Sequence, residues 1–345
     1  MTAAQRRKYV RAAQVIGSFS VVALLIVVVL PKAAGTDYQQ IWARLSTLSL
    51  ATLGLMFVVW ALGLYAYTFV LTGALPGLTH AQALTLNLAG SAVSNLVPFG
   101  GAIGIAATFA MAGSWGFRPA AITLFTIVTG AWNVLNKLAL PCIALIGLLV
   151  TGDITDRRLV IGAVIAAALL AVIVVSAVGV LSSERLAVSA SNLVGYVGHR
   201  LLRISGRARE VHWESAVLDF RHRTRGVLKS GWRRMTLGML AYSGLQALLA
   251  WQCLHAMGST LTVTEVFAGF AFGRLLTSFV ATPSGVGVAE TGAAALLAKF
   301  GGDPAASTAG ILLFSFFFTY LLEIPIGAIG WLTWALWTPW RKSPA

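Results

Sequence analysis

Asn95-Leu-Val-Pro-Phe-Gly-Gly-Ala-Ile-Gly104 breaks one long apolar stretch, and Val280-Ala-Thr-Pro-Ser-Gly-Val-Gly-Val-Ala289 breaks another at the same relative place. An offset of 185, the step from Pro98 to Pro283, superposes the two without a gap. The same offset carries Gly73 onto Gly258, Thr79 onto Thr264, Ala83 onto Ala268 and Gly100 onto Gly285. It also carries Gly116 onto Gly301, Pro119 onto Pro304 and Ala121 onto Ala306. Alanine and glycine coincide cheaply in such a composition, but prolines and glycines coinciding at two breaks point to an internal repeat. Repeated, interrupted hydrophobic segments are the sequence pointer to a transporter's central site.

Outward from these breaks the chain reads as membrane protein. Of its 345 residues, 58% are hydrophobic and 10% charged, where a soluble domain carries about a quarter charged residues. A helix needs about 20 apolar residues to cross the hydrocarbon, and six segments meet that length, near 12–30, 49–73, 119–150, 158–181, 232–257 and 305–338. Pro141 and Pro325 mark expected kinks in the third and sixth. Segments 81–113 and 265–299 are broken at their centres, and each arm is too short to span comfortably. They read as re-entrant helical hairpins whose tips line protein or a wet cavity, because lipid cannot satisfy irregular backbone. Four short tilted spans are the competing reading.

The net charge of +14 is placed by topology and does not imply nucleic acid. Basic residues gather at Arg6 to Arg11, in the loop from Arg185 to Arg234, and at Arg341 and Lys342. With six spans and two hairpins, the positive-inside rule puts all three groups and both termini in the cytoplasm. Segment 182–231 alternates Leu193, Val197, Leu201, Ile204, Val211 and Leu218 with arginines, the pattern of amphipathic helices lying on the inner membrane surface. The first apolar run is longer than a signal-peptide core and lacks a clear cleavage site, so it is expected to stay as a span.

The resulting expectation is an all-α polytopic protein of the cell (inner) membrane, a single transmembrane domain over 1–345. Repeat one occupies 49–150 and repeat two 232–338. Three full spans separate equivalent points, so the second copy is inverted and one hairpin enters from each face.

Four charged residues fall within the apolar segments: Lys137, Arg274, Glu290 and Glu323. Each costs about 2.5–3.5 kcal/mol at a helix centre on insertion scales and is a functional candidate by default. Either they form a polar site, in which Arg274 and Lys137 meet an anion, or they form two bracing ion pairs, Arg274–Glu290 and Lys137–Glu323. Thr126, Thr129, Trp132, Asn133 and Asn136 join Lys137 along one segment, and Asn87, Ser91, Ser94 and Asn95 make a second polar stripe. Such stripes line a cavity or hold helices together by hydrogen bonds. At the hairpin tips Pro98, Gly100 and Gly101, and Pro283, Ser284, Gly285 and Gly287, precede short helical arms. Free N–H groups at such helix starts favour an anion such as phosphate.

The five histidines sit in loops or span ends without metal-ligand spacing, and Cys142 and Cys253 lie inside apolar runs. No cofactor, metal site or nucleophile arrangement is legible, so an enzyme is not expected. Trp331, Trp334, Trp337 and Trp340 read as an interfacial belt.

At Arg274-Leu-Leu-Thr-Ser-Phe-Val-Ala-Thr-Pro283-Ser-Gly-Val-Gly-Val-Ala-Glu290 the chain resembles the flippase-like lysylphosphatidylglycerol synthase transmembrane region family. The shared pattern is Arg, then Pro-x-Gly-x-Gly-x-x-Glu. Gly113-Ser-Trp-Gly-Phe, Thr129-Gly-Ala-Trp-Asn133 and Lys137-Leu-Ala-Leu-Pro141 resemble actinobacterial members. The resemblance implies movement of a polar lipid between leaflets: an anionic or glycosylated phospholipid, or a polyprenyl-phosphate lipid. Lysyl-phosphatidylglycerol enzymes join such a region to a soluble aminoacyl-transferase domain; these 345 residues hold none, so lipid aminoacylation is not expected. Many relatives carry charge after the first-hairpin proline, whereas Phe99 to Phe109 has none here. Two other functions remain open: a scaffold for an envelope or lipid glycosyltransferase, and a small-solute or ion transporter.

Overall fold

The computed structural model describes residues 25–30, 32, 35–96, 100–152, 213–278 and 285–337, and interspersed positions between 161 and 179. Every regular element among them is helical. The expected spans at 12–30 and 158–181 fall largely outside the described residues, as do Pro98, Pro283 and Ser284.

A short helix α1 (Tyr38–Leu45) follows Asp37, whose carboxylate accepts from the Gln40 N–H. α2 (Leu50–Ala74) is likewise opened by the Ser49 hydroxyl. A close pair, α3 (His80–Leu96) and α4 (Gly100–Ser114), comes next, then the long α5 (Pro119–Thr151), which begins with proline in its first turn and ends at Gly152 in the left-handed region. α6 (Trp213–Ala256) precedes a second pair, α7 (Val263–Leu276) and α8 (Val288–Lys299). Thr262 and Glu265 close a capping box at the start of α7. Asp303 caps α9 (Pro304–Leu312), which runs without a break into a π-helical segment, Leu313–Leu322, and then α10 (Glu323–Trp337).

Among the described residues four helical stretches are long and apolar enough to cross a membrane: Leu50–Ala74, Pro119–Thr151, His222–Ala256 and Pro304–Leu336. They agree with four of the six expected spans. Two features depart from expectation. Residues 213–231 do not form a separate surface helix; they are the first half of α6, continuous with the span. Pro325 is preceded by ten residues of π-helix, Leu313–Leu322, of which only the last turn lies within reach of the proline ring. Pro141, by contrast, sits inside α5, which stays α-helical along its whole length.

The scaffold is an antiparallel seam between α2 and α6. A Cβ on Gly63 would meet Leu245, one on Gly238 would meet Phe69 and Val70, and one on Gly231 would fall 2.2 Å from the Gly73 carbonyl. Residue numbers rise on one helix as they fall on the other. Without a hydrophobic driving force between helices in lipid, such close backbone approach supplies the packing. α3 packs antiparallel on α10, with Gly327 against Leu88 and Gly330 against Thr85. In the corresponding place α7 packs on α5, with Thr264 against Gly147 and Leu140, Ala144 and Leu148 in one core with Ala268 and Ala271.

The 185-residue offset recurs in backbone detail. α4 is closed by Trp115 N–H to Ala112 O, Gly116 N–H to Gly113 O and Phe117 N–H to Ala112 O. α8 is closed by Phe300 N–H to Leu297 O, Gly301 N–H to Ala298 O and Gly302 N–H to Leu297 O. Gly116 and Gly301 take the left-handed φ that such a C-terminal closure requires, 90° and 84°.

The ends of the elements collect into two groups. In one, Gly73, Phe117 beside Gly77, Gly231, and His80 beside Arg234 come together. In the other, Arg44 donates to the Met257 carbonyl at 3.4 Å and forms an ion pair with Asp303. Both ends of the α3–α4 pair lie in the first group, and both ends of the α7–α8 pair lie in the second.

Candidate functional site

Between the two helix pairs lies a cavity of about 570 Å³. α3 contributes Asn87, Ser91 and Asn95, α5 contributes Thr129, Asn133 and Lys137, and α6 contributes Tyr242 and Gln246. Arg274 of α7, Thr319 and Tyr320 of the π-helical segment, and Glu323 at the start of α10 complete the polar wall. The asparagines, serines, threonines and lysine of the two stripes thus face one space, except Asn136, whose Oδ1 accepts from the Ser243 hydroxyl at 3.0 Å. Lys137 stands near the middle of α5 and Glu323 near the middle of the continuous Pro304–Leu336 helix.

The four charged candidates do not pair with one another. None makes an ion pair among the described residues. Arg274 lies with its guanidinium carbon 5.7 Å from the Tyr242 ring centre and donates from Nη2 to Tyr242 Oη at 3.4 Å. This cation–π contact holds the charge in place without neutralising it. Lys137 has no hydrogen-bond or ion-pair partner among the described residues and faces the cavity. Glu323 is 7% exposed on the opposite wall. Two cations and one carboxylate therefore share the space.

Glu290 is separate. It is 2% exposed and borders a smaller pocket of about 60 Å³ behind Arg274, off the main cavity wall. Its Oε2 accepts from the Gly287 N–H at 2.6 Å, and its Oε1 accepts from Tyr320 Oη at 3.5 Å. The carboxylate completes the start of α8, where Gly285 and Gly287 both take left-handed φ, 77° and 84°. Gly285 is also required by space, since a Cβ there would lie 2.7 Å from Thr277 Cα.

The two tips therefore differ. At the second, the Gly287 N–H is taken by Glu290 and is not offered to a ligand. At the first, Gly100 is buried against the Ser94 backbone, while Gly101 and Gly104 lie on the cavity wall. Asn95 Nδ2 donates to the Thr319 carbonyl at 3.4 Å, tying the first tip to the π-helical segment. Asn133 Nδ2 donates to Tyr67 Oη at 2.7 Å and to Thr129 O at 2.9 Å. It acts as wall and brace at once, as the two readings of that stripe allowed.

Sequence reading passed over Tyr67, Tyr242, Gln246, Thr319 and Tyr320. The available signal was a phenol in mid-span, since a buried tyrosine hydroxyl needs a partner. Tyr67 and Tyr242 stand with ring centres 5.0 Å apart, and their hydroxyls receive Asn133 and Arg274. Among the described residues no three His, Cys, Asp or Glu side chains could hold a metal ion together.

The sequence profile of a family described as "Lysylphosphatidylglycerol synthase TM region" matches residues 15–327. No curated protein matches the chain.

Proposed function

We propose, from the premise that this chain belongs to the lysylphosphatidylglycerol synthase TM region family, that it moves an anionic lipid between membrane leaflets. The lipid is a phospholipid, plain or glycosylated, or a polyprenyl-phosphate lipid. The observation that carries this reading is the pair Lys137 and Arg274. Two cations with no carboxylate partner face one polar cavity walled by arms of both helix pairs. A charge removed from water without a partner is costly, and a phosphate in the cavity supplies one to each. Arg274 presents a planar donor fork to it and Lys137 a compact point charge.

In this mechanism the head group occupies the cavity while the acyl chains stay in the bilayer. The α3–α4 and α7–α8 pairs act as re-entrant hairpins of an inverted repeat. The antiparallel α2–α6 seam and the gathering of the two pairs' ends in opposite groups support that topology. Outward and inward openings then follow from exchanging the roles of the two hairpins around one site. Glu323 faces the two cations and limits how tightly the phosphate is held, so that it can leave. Native mass spectrometry of the purified protein tests the reading. A phosphate-bearing lipid enriched in the wild type and lost from Arg274→Ala supports it, and the same bulk lipid on both contradicts it.

One observation favours a second reading. α6 has 44 residues, about 66 Å at 1.5 Å per residue, longer than the roughly 40–45 Å of a whole bilayer. Its first half carries exposed Arg223, Arg225 and Lys229, a surface on which a lipid or envelope glycosyltransferase could be held. Deleting residues 190 to 225 separates the two: a scaffold loses its enzyme, and a flippase keeps its lipid.

A further inference from the structure

We infer that the cavity selects a head group made of one phosphodiester and a neutral polyol. The inference rests on the anionic-lipid reading above and narrows it.

Charge sets the first limit. Lys137 and Arg274 against Glu323 leave one positive charge on the wall. That matches a single phosphodiester and falls short of a pyrophosphate. It also disfavours a head group carrying its own ammonium. Such a group needs an acidic cage, and Glu323 is the one carboxylate on the described wall, already facing two cations.

The neutral wall sets the second limit. Asn87 and Gln246 face the cavity, and neither has a hydrogen-bond partner among the described residues. Gln246 is only 8% exposed. An amide open to the cavity both donates and accepts, as a hydroxyl does. The pair fits a ring or chain of hydroxyls; a methylated ammonium offers them no donor at all. Tyr67 and Tyr242 stand beside them; their hydroxyls accept from Asn133 and Arg274 and keep an O–H each to donate, while their rings present apolar faces. A polyol with polar edges and a C–H face matches such a wall. The volume of about 570 Å³ falls in the usual range for a small-ligand site, roughly 300–1,000 Å³.

The polyol has more than one source: inositol or glycerol on a phospholipid, or a hexose on a polyprenyl phosphate. The test loads full-length protein, stripped of native lipid, with five probes in competition, read by native mass spectrometry. They are phosphatidylinositol, phosphatidylglycerol, a polyprenyl-phosphate hexose, phosphatidic acid and phosphatidylethanolamine. The expected result is at least one polyol lipid retained about tenfold over phosphatidic acid, the scale of two neutral hydrogen bonds. Asn87→Ala combined with Gln246→Ala should bring that ratio close to one, and the polyol lipid that leads identifies the source. Equal retention of phosphatidic acid and every polyol lipid overturns this inference and leaves the anionic reading standing. Phosphatidylethanolamine retained as well as all the others overturns the anionic reading itself. Should the double variant fail to fold, the wild-type ranking decides alone.

Discussion

Arg274 is held by stacking on Tyr242 and by one long hydrogen bond, with no carboxylate to quench it. Its charge is therefore available to a ligand. Hydrogen bonds to charged groups are worth about 1.5–3 kcal/mol, so Arg274→Ala should weaken binding of an anionic lipid by roughly 10–100-fold in a lipid titration. Arg274→Lys keeps the charge but loses the fork and much of the stacking, and should fall between. Glu290 makes a different prediction, because its carboxylate caps α8. Losing a cap costs about 0.5–2 kcal/mol. Glu290→Ala should lower the melting temperature in detergent, and Glu290→Gln, which still accepts from the Gly287 N–H, should stay near wild type. A Gln variant as unstable as the Ala variant would mean that charge, and not capping, holds Glu290 there. The four charged residues stood out in the sequence because charge in an apolar run is costly. Their partners did not, since a phenol such as Tyr242 reads as one more aromatic until the fold brings it to Arg274.

At the scale of elements, the α2–α6 seam rests on glycine. A Cβ on Gly231 would sit 2.2 Å from a backbone oxygen that cannot move aside, while one on Gly244 meets nothing within 4 Å. Overpacking typically costs about 1–3 kcal/mol, and Gly→Ala in a helix interior otherwise gains about 0.5–1 kcal/mol. Gly231→Ala should thus lower thermal stability and Gly244→Ala should preserve or raise it, measured on the same detergent-solubilised protein. The Arg44–Asp303 pair gives a second contrast. Both side chains are about 40% exposed, so the ion pair itself contributes less than about 1 kcal/mol. Asp303 also caps α9 through the Ala305 N–H. Asp303→Ala should therefore destabilise more than Arg44→Ala. Helix positions were legible because apolar length and proline or glycine breaks are local. The expected 49–73 and 119–150 became Leu50–Ala74 and Pro119–Thr151. The π-helical segment before Pro325 and the unbroken α6 were not legible: both depend on neighbours that relieve or extend a helix.

For the whole molecule, the proposed topology puts the two groups of helix ends on opposite faces of the membrane, and the positive-inside rule assigns the group beside Arg234 to the cytoplasm. Cysteines introduced one at a time into a protein lacking Cys142 and Cys253 should divide accordingly. Arg118→Cys and Arg225→Cys should react only with reagent on the cytoplasmic side, and Thr36→Cys and Lys299→Cys only from outside. Arg118 and Lys299 reacting from the same side would contradict the inverted topology. The repeat was expected from Pro98 and Pro283, which lie outside the described residues; the cavity was not legible, because it forms only where α3 meets α10 and α7 meets α5. In the proposed function this cavity carries anionic head groups across the bilayer. That function is tested most directly by reconstituting the protein in liposomes with head-labelled fluorescent phosphatidylglycerol and following the loss of signal to an impermeant quencher. Wild type should expose inner-leaflet lipid well above protein-free liposomes, and Lys137→Ala with Arg274→Ala should return to that baseline. Equal exposure by the wild type and a folded double variant would contradict the account.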